Sequence, residues 1–426
     1  MRLIVSTSRL RGSVRIPPSK SHTIRAIAIA ALADGHSEIN NPLLSDDTFS
    51  AVDCYRALGA TIDTSSAGAW SVRGTSGRLK APRRPIDVGN SGTTLRIAMG
   101  SASLVPEGTT ITLNGDEQTH SRPVGPLMQA LRDLGADCRS LKAVDRAPVA
   151  VEGRLQGGKT SIACATSQYL SSLLLCTPLA AGESEIEVTM LNEPGYVQMT
   201  LDWLDSQKIA YENERLRRFR IQGNQHYSSF QVCVPGDFSS ATFFLCGAAL
   251  LGDEVTLRGL DLADSQPDKA VIDYLRSMGA DIAVSSDSIV VKSRPLRGVD
   301  IDMNATPDAL PAMAVTAAFA SGETRLLNVG HARAKETDRI GCTVAELRKM
   351  NVDAEELPDG IVVRQSTPQS AALDGHADHR IVMALSLAAM AAEGQSSIET
   401  AEAVSITFPT YVQLMSSLGA HTTIQQ

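Results

Sequence analysis

Aromatics are scarce in this 426-residue chain, at 4 % of residues, so any core must be built from aliphatic side chains and alanine. Cysteine is uncommon and unpatterned. The seven (Cys54, Cys138, Cys164, Cys176, Cys233, Cys246 and Cys342) are odd in number and never spaced Cys-x-x-Cys. That excludes a disulfide framework or a zinc site and fits reduced thiols in a cytoplasmic protein. No apolar run approaches the roughly 18 to 20 residues of a membrane span, and Met1-Arg2-Leu3-Ile4-Val5 turns polar at Ser6, unlike a signal peptide. Positive charge is also in short supply. The net charge of −8 excludes a general nucleic-acid or membrane-surface binder, so any anion must be held by local basic clusters. What remains is an ordinary globular balance, 43 % hydrophobic and 20 % charged, with length for two or three domains.

The chain repeats itself. Leu-Gly-Ala or a relative follows an amphipathic helical pattern at Leu58-Gly59-Ala60, Leu134-Gly135-Ala136, Met278-Gly279-Ala280 and Leu418-Gly419-Ala420. Degenerate copies fall at Lys208-Ile209 and Asn351-Val352, giving intervals of 76, 73, 71, 72 and 68. Such a period suits a small αβ unit better than the common solenoids. Each copy holds a second helix that is apolar nearly all round and so should be buried on every side. These begin near Ser21, Gly92, Ser167, Ser239, Asp308 and His379. A glycine and a short alternating strand follow, as in Gly182-Glu183-Ser184-Glu185-Ile186-Glu187-Val188. The surface helices are expected to start at caps or prolines, as in Ser121-Arg122-Pro123 and Thr407-Phe408-Pro409, and to end at the Leu-Gly-Ala glycine. The fold class is therefore α/β: two similar inside-out domains, each of three repeated αβ units with buried helices and outer sheet. Links near Pro17-Pro18 and Val234-Pro235-Gly236 make the first domain discontinuous (1–17 and 235–426) around a second at 18–234. The active site is expected in the cleft between them.

Polar residues gather at the starts of the apolar helices: Lys20-Ser21 with Arg25, Asn90-Ser91-Gly92-Thr93-Thr94 with Arg96, Thr166-Ser167-Gln168, Asp237 with Ser239-Ser240, Pro307-Asp308, and Asp378-His379-Arg380. Helix starts carry unpaired N–H groups and about half a positive charge, so several together make an anion site. Ser, Thr, Asn and Asp there are usually only caps. Cations are not: Lys20, Arg25, Arg96 and Arg380 sit badly beside a positive dipole end, and a bound anion explains them better. Gly92 is either a turn residue or the point where a phosphate meets backbone. Arg122-Pro123 and Lys335-Glu336-Thr337-Asp338-Arg339 are expected to open surface helices. In the second, Lys335 and Arg339 at i, i+4 would set two cations beside the titratable Glu336, although a solvated charged face reads the same way.

Taken together, Pro18-Ser19-Lys20-Ser21 with Arg25, Gly89-Asn90-Ser91-Gly92-Thr93-Thr94 with Arg96, Arg122-Pro123, Ser167-Gln168, Pro307-Asp308, Lys335 to Arg339 and Asp378-His379-Arg380 resemble the 5-enolpyruvylshikimate-3-phosphate synthase (3-phosphoshikimate 1-carboxyvinyltransferase) family over the whole chain. The resemblance implies an enolpyruvyl transferase-like fold. It implies transfer of the enolpyruvyl group of phosphoenolpyruvate to the 5-hydroxyl of shikimate-3-phosphate by addition and elimination, without metal or cofactor. Asp308 matches the family's proton acceptor, and Glu336 with Lys20 the proton donor. Lys20, Ser21, Arg25, Thr166, Ser167, Gln168, Tyr196, Asp308 and Lys335 would hold shikimate-3-phosphate. Lys20, Gly92, Arg122, Gln168, Arg339 and Arg380 would hold phosphoenolpyruvate, with Arg96 supporting Gly92. Glyphosate would be an inhibitor at the phosphoenolpyruvate seat, and the enzyme would be a monomer.

Three positions depart from the family pattern. Ile406 stands where many members have lysine, Glu193 where a serine is usual, and His331 where an asparagine is usual. UDP-N-acetylglucosamine enolpyruvyl transferase is the enzymatic alternative, but it usually carries a cysteine where Glu117 stands and Lys-Asn in place of Lys20-Ser21. A non-catalytic repeat scaffold would explain the period but not cations at apolar helix starts.

Overall fold

The computed structural model describes residues 1–425. The chain divides into two compact units, Met1–Ser19 with Pro235–Gln426, and Lys20–Val234. Each has its own apolar core and three repeats of one αβ pattern. The buried helices are Lys20–Leu32, Gly92–Ala102 and Ser167–Cys176 in the Lys20–Val234 unit, and Phe238–Leu251, Leu310–Ala318 and His379–Ala391 in the other. Their flanks alternate Ala and Ser with Ile, Leu or Phe, so no side would favour water and each helix gains most by being covered all round. Only the fifth starts differently from its sequence pattern: a 3-10 turn, Pro307–Ala309, precedes Leu310.

Among the described residues six four-stranded sheets share one pairing scheme, a parallel edge pair followed by two antiparallel pairs. Each unit closes on itself with a strand from far along the chain. Gln231–Cys233 pairs parallel with His36–Asn40 in the Lys20–Val234 unit. In the other, Arg2–Ser6 lies between Gln395–Glu399 and His421–Gln425.

The six repeat points have one backbone geometry. Gly59, Gly135, Gly279 and Gly419 lie at φ between +100° and +108°, and the degenerate copies Lys208 and Asn351 adopt left-handed φ of +58° and +62°. In all six, the next residue's N–H donates to a carbonyl five positions back, for example Ala60 to Tyr55, Ile209 to Leu204 and Val352 to Leu347. This is a Schellman helix end, for which glycine is the unstrained choice. The repeat is thus a repeated C-cap, and Lys208 and Asn351 fill it without glycine.

Three expected helix starts move. Arg122 is extended and ends a short helix, Glu117–Ser121; the surface helix is Gly125–Asp133. Pro123 explains this, because its ring disfavours helical backbone at the residue before it. The helix after Pro409 likewise begins only at Tyr411. Lys335-Glu336-Thr337 lie outside the helix Arg339–Lys349, whose cap is Asp338: its carboxylate accepts from the N–H groups of Ile340 at 3.1 Å and Gly341 at 3.0 Å. Lys335 and Arg339 therefore do not share a helix face.

Candidate active site

In the Lys20–Val234 unit the starts of the three buried helices bring most of the expected residues into one network. Lys20 Nζ lies 3.0 Å from Asp47 Oδ2, at the start of the surface helix Asp46–Ala57. Arg25 is 2 % exposed. It donates to Ser21 O (3.1 Å), Thr200 Oγ1 (3.0 Å), Ser171 Oγ (3.2 Å) and Tyr196 O (3.1 Å). Burial pulls its guanidinium down to about 10, which leaves it charged at neutral pH. Arg25 therefore acts as a sealed positive charge that ties the first buried helix to Ser171 on the third and to Tyr196.

Gly92 begins the second buried helix among guanidinium groups. A Cβ on it would lie 2.5 Å from Arg122 Nη1 and 2.9 Å from Arg96 Nη1, so the missing side chain is what admits both. Arg122 is buried and donates to Asn90 O at 3.2 Å and Asn90 Oδ1 at 3.1 Å. Arg96 donates to Gln168 Oε1 at 2.7 Å, and Gln168 Nε2 donates to Thr93 Oγ1 at 3.0 Å. Asn90, Gly92, Arg96, Arg122 and Gln168 thus form one polar floor. On the third helix, Thr166 and Ser167 donate to the carboxylate of Glu193.

The other unit builds a tighter cluster around Arg339, which is 1 % exposed. Arg339 Nη1 donates to Asp308 Oδ1 at 2.6 Å, Nη2 to Glu336 Oε2 at 2.5 Å, and Nε to Asp378 Oδ2 at 2.7 Å. Arg380 Nη2 lies 3.0 Å from Asp308 Oδ2, and Lys335 Nζ 3.9 Å from Asp308 Oδ1. Asp308 is 19 % exposed and does not cap its helix; its carboxylate faces cations instead. Burial alone would raise its pKa, but Arg380, Lys335 and Arg339 outweigh burial and Glu336 and hold the carboxyl well below the usual range. Burial likewise opposes the charge on Arg339, and Asp378, Glu336 and Asp308 overcome it, raising its pKa. Three cations (Lys335, Arg339 and Arg380) here balance three carboxylates (Asp308, Glu336 and Asp378). The arrangement keeps partly exposed carboxylates next to cations that an incoming anion could engage.

Four participants carried only weak sequence signals. Asp378 caps the sixth buried helix through Arg380 N at 2.8 Å while also holding Arg339; its neighbours in Asp378-His379-Arg380 pointed to the place but not the second job. Asp47 looks like any acidic residue in a first helical turn. Asn90 lies in a motif whose glycine draws the eye, and Glu193 stands out only as a departure from the family pattern.

The model of the EPSP synthase (3-phosphoshikimate 1-carboxyvinyltransferase) family matches residues 4–415. The 3-phosphoshikimate 1-carboxyvinyltransferase of Acetivibrio thermocellus is 50 % identical over 99 % of this chain and 99 % of its own length. That of Methanocaldococcus jannaschii is 40 % identical over 98 % of each. An EPSP synthase structure from Acinetobacter baumannii superposes with a TM-score of 0.83 at 26 % identity over all of both chains. The enolpyruvyl transferase NikO from Streptomyces tendae gives 0.77 at 19 % identity over 99 % and 98 % of the chains, a likeness of fold.

Proposed function

The chain belongs to the EPSP synthase (3-phosphoshikimate 1-carboxyvinyltransferase) family, and from that premise we propose how its side chains divide the reaction. The enzyme transfers the enolpyruvyl group of phosphoenolpyruvate to the 5-hydroxyl of shikimate-3-phosphate and releases phosphate, a step of the shikimate pathway toward aromatic amino acids. Asp308 takes the proton of the 5-hydroxyl as its oxygen bonds to the central carbon of phosphoenolpyruvate. Glu336, with Lys20, gives a proton to the methylene carbon. Loss of a methyl proton and of phosphate from the resulting tetrahedral adduct then restores the double bond. Lys20, Ser21, Arg25, Thr166, Ser167, Gln168, Tyr196, Asp308 and Lys335 serve shikimate-3-phosphate; Lys20, Gly92, Arg122, Gln168, Arg339 and Arg380 serve phosphoenolpyruvate. Arg25 contributes charge from beneath. The protein works as a cytoplasmic monomer, and glyphosate competes at the phosphoenolpyruvate seat.

One observation carries this assignment: the carboxylates of Asp308 and Glu336 share Arg339. Two carboxylates on one buried arginine support reading them as a base and an acid that act together, because drawing that arginine to a substrate anion frees both. Substrate choice tests it. Phosphate release from phosphoenolpyruvate should require shikimate-3-phosphate and should not respond to UDP-N-acetylglucosamine; equal turnover with the nucleotide sugar would sink the assignment.

A further inference from the structure

Glu193 is 2 % exposed and sits at φ +58°, ψ +47°, a left-handed conformation that a residue with a side chain seldom adopts. Its Oε2 accepts from Ser167 N at 3.0 Å, Ser167 Oγ at 2.7 Å and Thr166 Oγ1 at 3.1 Å. One backbone N–H and two hydroxyls at the positive end of the ten-residue helix Ser167–Cys176 are the donor set a phosphate oxygen needs. Capping does not require a carboxylate here, because Thr166 already accepts from Gln168 N. The buried positive charge of Arg25 adjoins the same place through Ser171 of this helix and the carbonyl of Tyr196, three residues beyond Glu193.

We propose that Glu193 is an internal stand-in for the phosphate of shikimate-3-phosphate, seated at this helix start in the free enzyme and displaced when substrate binds. The proposal rests on reading Thr166 and Ser167 as shikimate-3-phosphate ligands. A carboxylate and a phosphate dianion cannot share these donors, since the two charges repel and one oxygen already uses all three bonds. Binding is therefore weakened by the fraction of molecules in which Glu193 has left the seat. The carboxylate also acts as a filter, because only a ligand that brings its own strong anion gains enough to displace it.

Shikimate-3-phosphate titrated calorimetrically into wild type, Glu193→Gln, Glu193→Gly and the double variant Glu193→Gln/Ser167→Ala tests this. Glutamine keeps the size without the charge, and glycine suits the left-handed backbone should glutamine disturb folding. If the seat is free in about one molecule in ten, both single variants should bind about tenfold tighter, and adding Ser167→Ala should weaken binding again. Unchanged or weaker binding in both single variants, with Ser167→Ala still costing affinity, would make Glu193 a structural brace and leave the ligand reading standing. No effect of Ser167→Ala in the Glu193→Gln background would remove both the seat and its stand-in.

Discussion

Asp308→Asn separates chemistry from binding and from folding in one protein. The carboxylate is held by Arg339 at 2.6 Å and Arg380 at 3.0 Å. Asparagine keeps the size and one acceptor but removes the charge. Arg339 retains Asp378 and Glu336, so the buried guanidinium is not left uncompensated, and the stability cost should be that of weakened hydrogen bonds, about 1–3 kcal/mol. The Asp308 carboxyl is held below its unfolded value. Its stabilising effect is therefore fully present above the unfolded pKa of about 3.9 and lost as pH falls toward the folded value. Wild type and variant should differ by a constant amount from about pH 5 upward and converge in acid. Losing the general base should lower kcat by about 10² to 10⁴. The cation cluster meanwhile gains a net positive charge, so the KM for phosphoenolpyruvate should stay level or fall. Steady-state kinetics with both substrates varied, beside urea unfolding at pH 4 and pH 7, measure all three effects. A kcat within tenfold of wild type in a folded protein would refute the role of base.

If phosphoenolpyruvate binds Arg339 and Arg380 as proposed, it draws them away from Asp308, and the carboxyl should bind protons more readily in the complex than without substrate. The acid limb of kcat should therefore lie at higher pH than that of kcat/KM; coincident limbs would count against it. On the proposed reading Arg122→Ala removes a contact made to substrate and transition state alike, and should raise the KM for phosphoenolpyruvate by about 10- to 100-fold with little change in kcat. Gly92→Ala would set a methyl 2.5 Å from Arg122 Nη1, and should raise that KM while leaving the Kd for shikimate-3-phosphate within about twofold, a pair of values that calorimetry and kinetics separate. Lys208→Gly should stabilise the fold by up to about 1 kcal/mol, because Lys208 holds a left-handed cap that glycine adopts without strain. Unfolding curves that show a loss would refute the repeated-cap reading.

The fold was legible because it is written in short-range terms. A buried helix announces itself by having no polar face, and the cap at Gly59 or Gly419 needs a backbone conformation that leaves a glycine in the sequence. The same logic reached Lys208 and Asn351 through spacing alone. It failed where one residue's geometry overrides the pattern. The ring of Pro123 keeps Arg122 extended and delays the helix, and the helix expected to open at Lys335 starts only at Arg339, capped by Asp338. The site was legible for a different reason: cations at the positive ends of apolar helices are destabilising unless something negative arrives. That argument finds Lys20, Arg25, Arg96 and Arg380. It cannot find what those residues touch in the fold: Asp47, the partner of Lys20, looks like an ordinary surface acid, and nothing local in the sequence says that Asp378 also holds Arg339 or that Glu193 reaches Thr166 and Ser167.

Those partners matter because a cation cluster built for anions must also survive without them. Arg339 is 1 % exposed and carries three carboxylates; with no counter-ion it would cost several kcal/mol to bury. A counter-ion that never leaves would exclude substrate. Residues that must both neutralise and yield should differ from those that only neutralise, and they do. Asp378 is sealed at 0 % side-chain exposure and fixed as a helix cap, so it stays. Asp308 and Glu336, at 19 % and 16 %, reach the surface and hold Arg339 by single oxygens, so an arriving anion can replace them at modest cost. The proposed base and acid are thus the two counter-ions that an arriving anion can loosen. Removing the Glu336 carboxylate by Glu336→Gln should therefore cost kcat even with Asp308 intact, by about 10² or more if Glu336 supplies the proton. A Glu336→Gln enzyme at full speed would leave the methylene carbon to Lys20 alone.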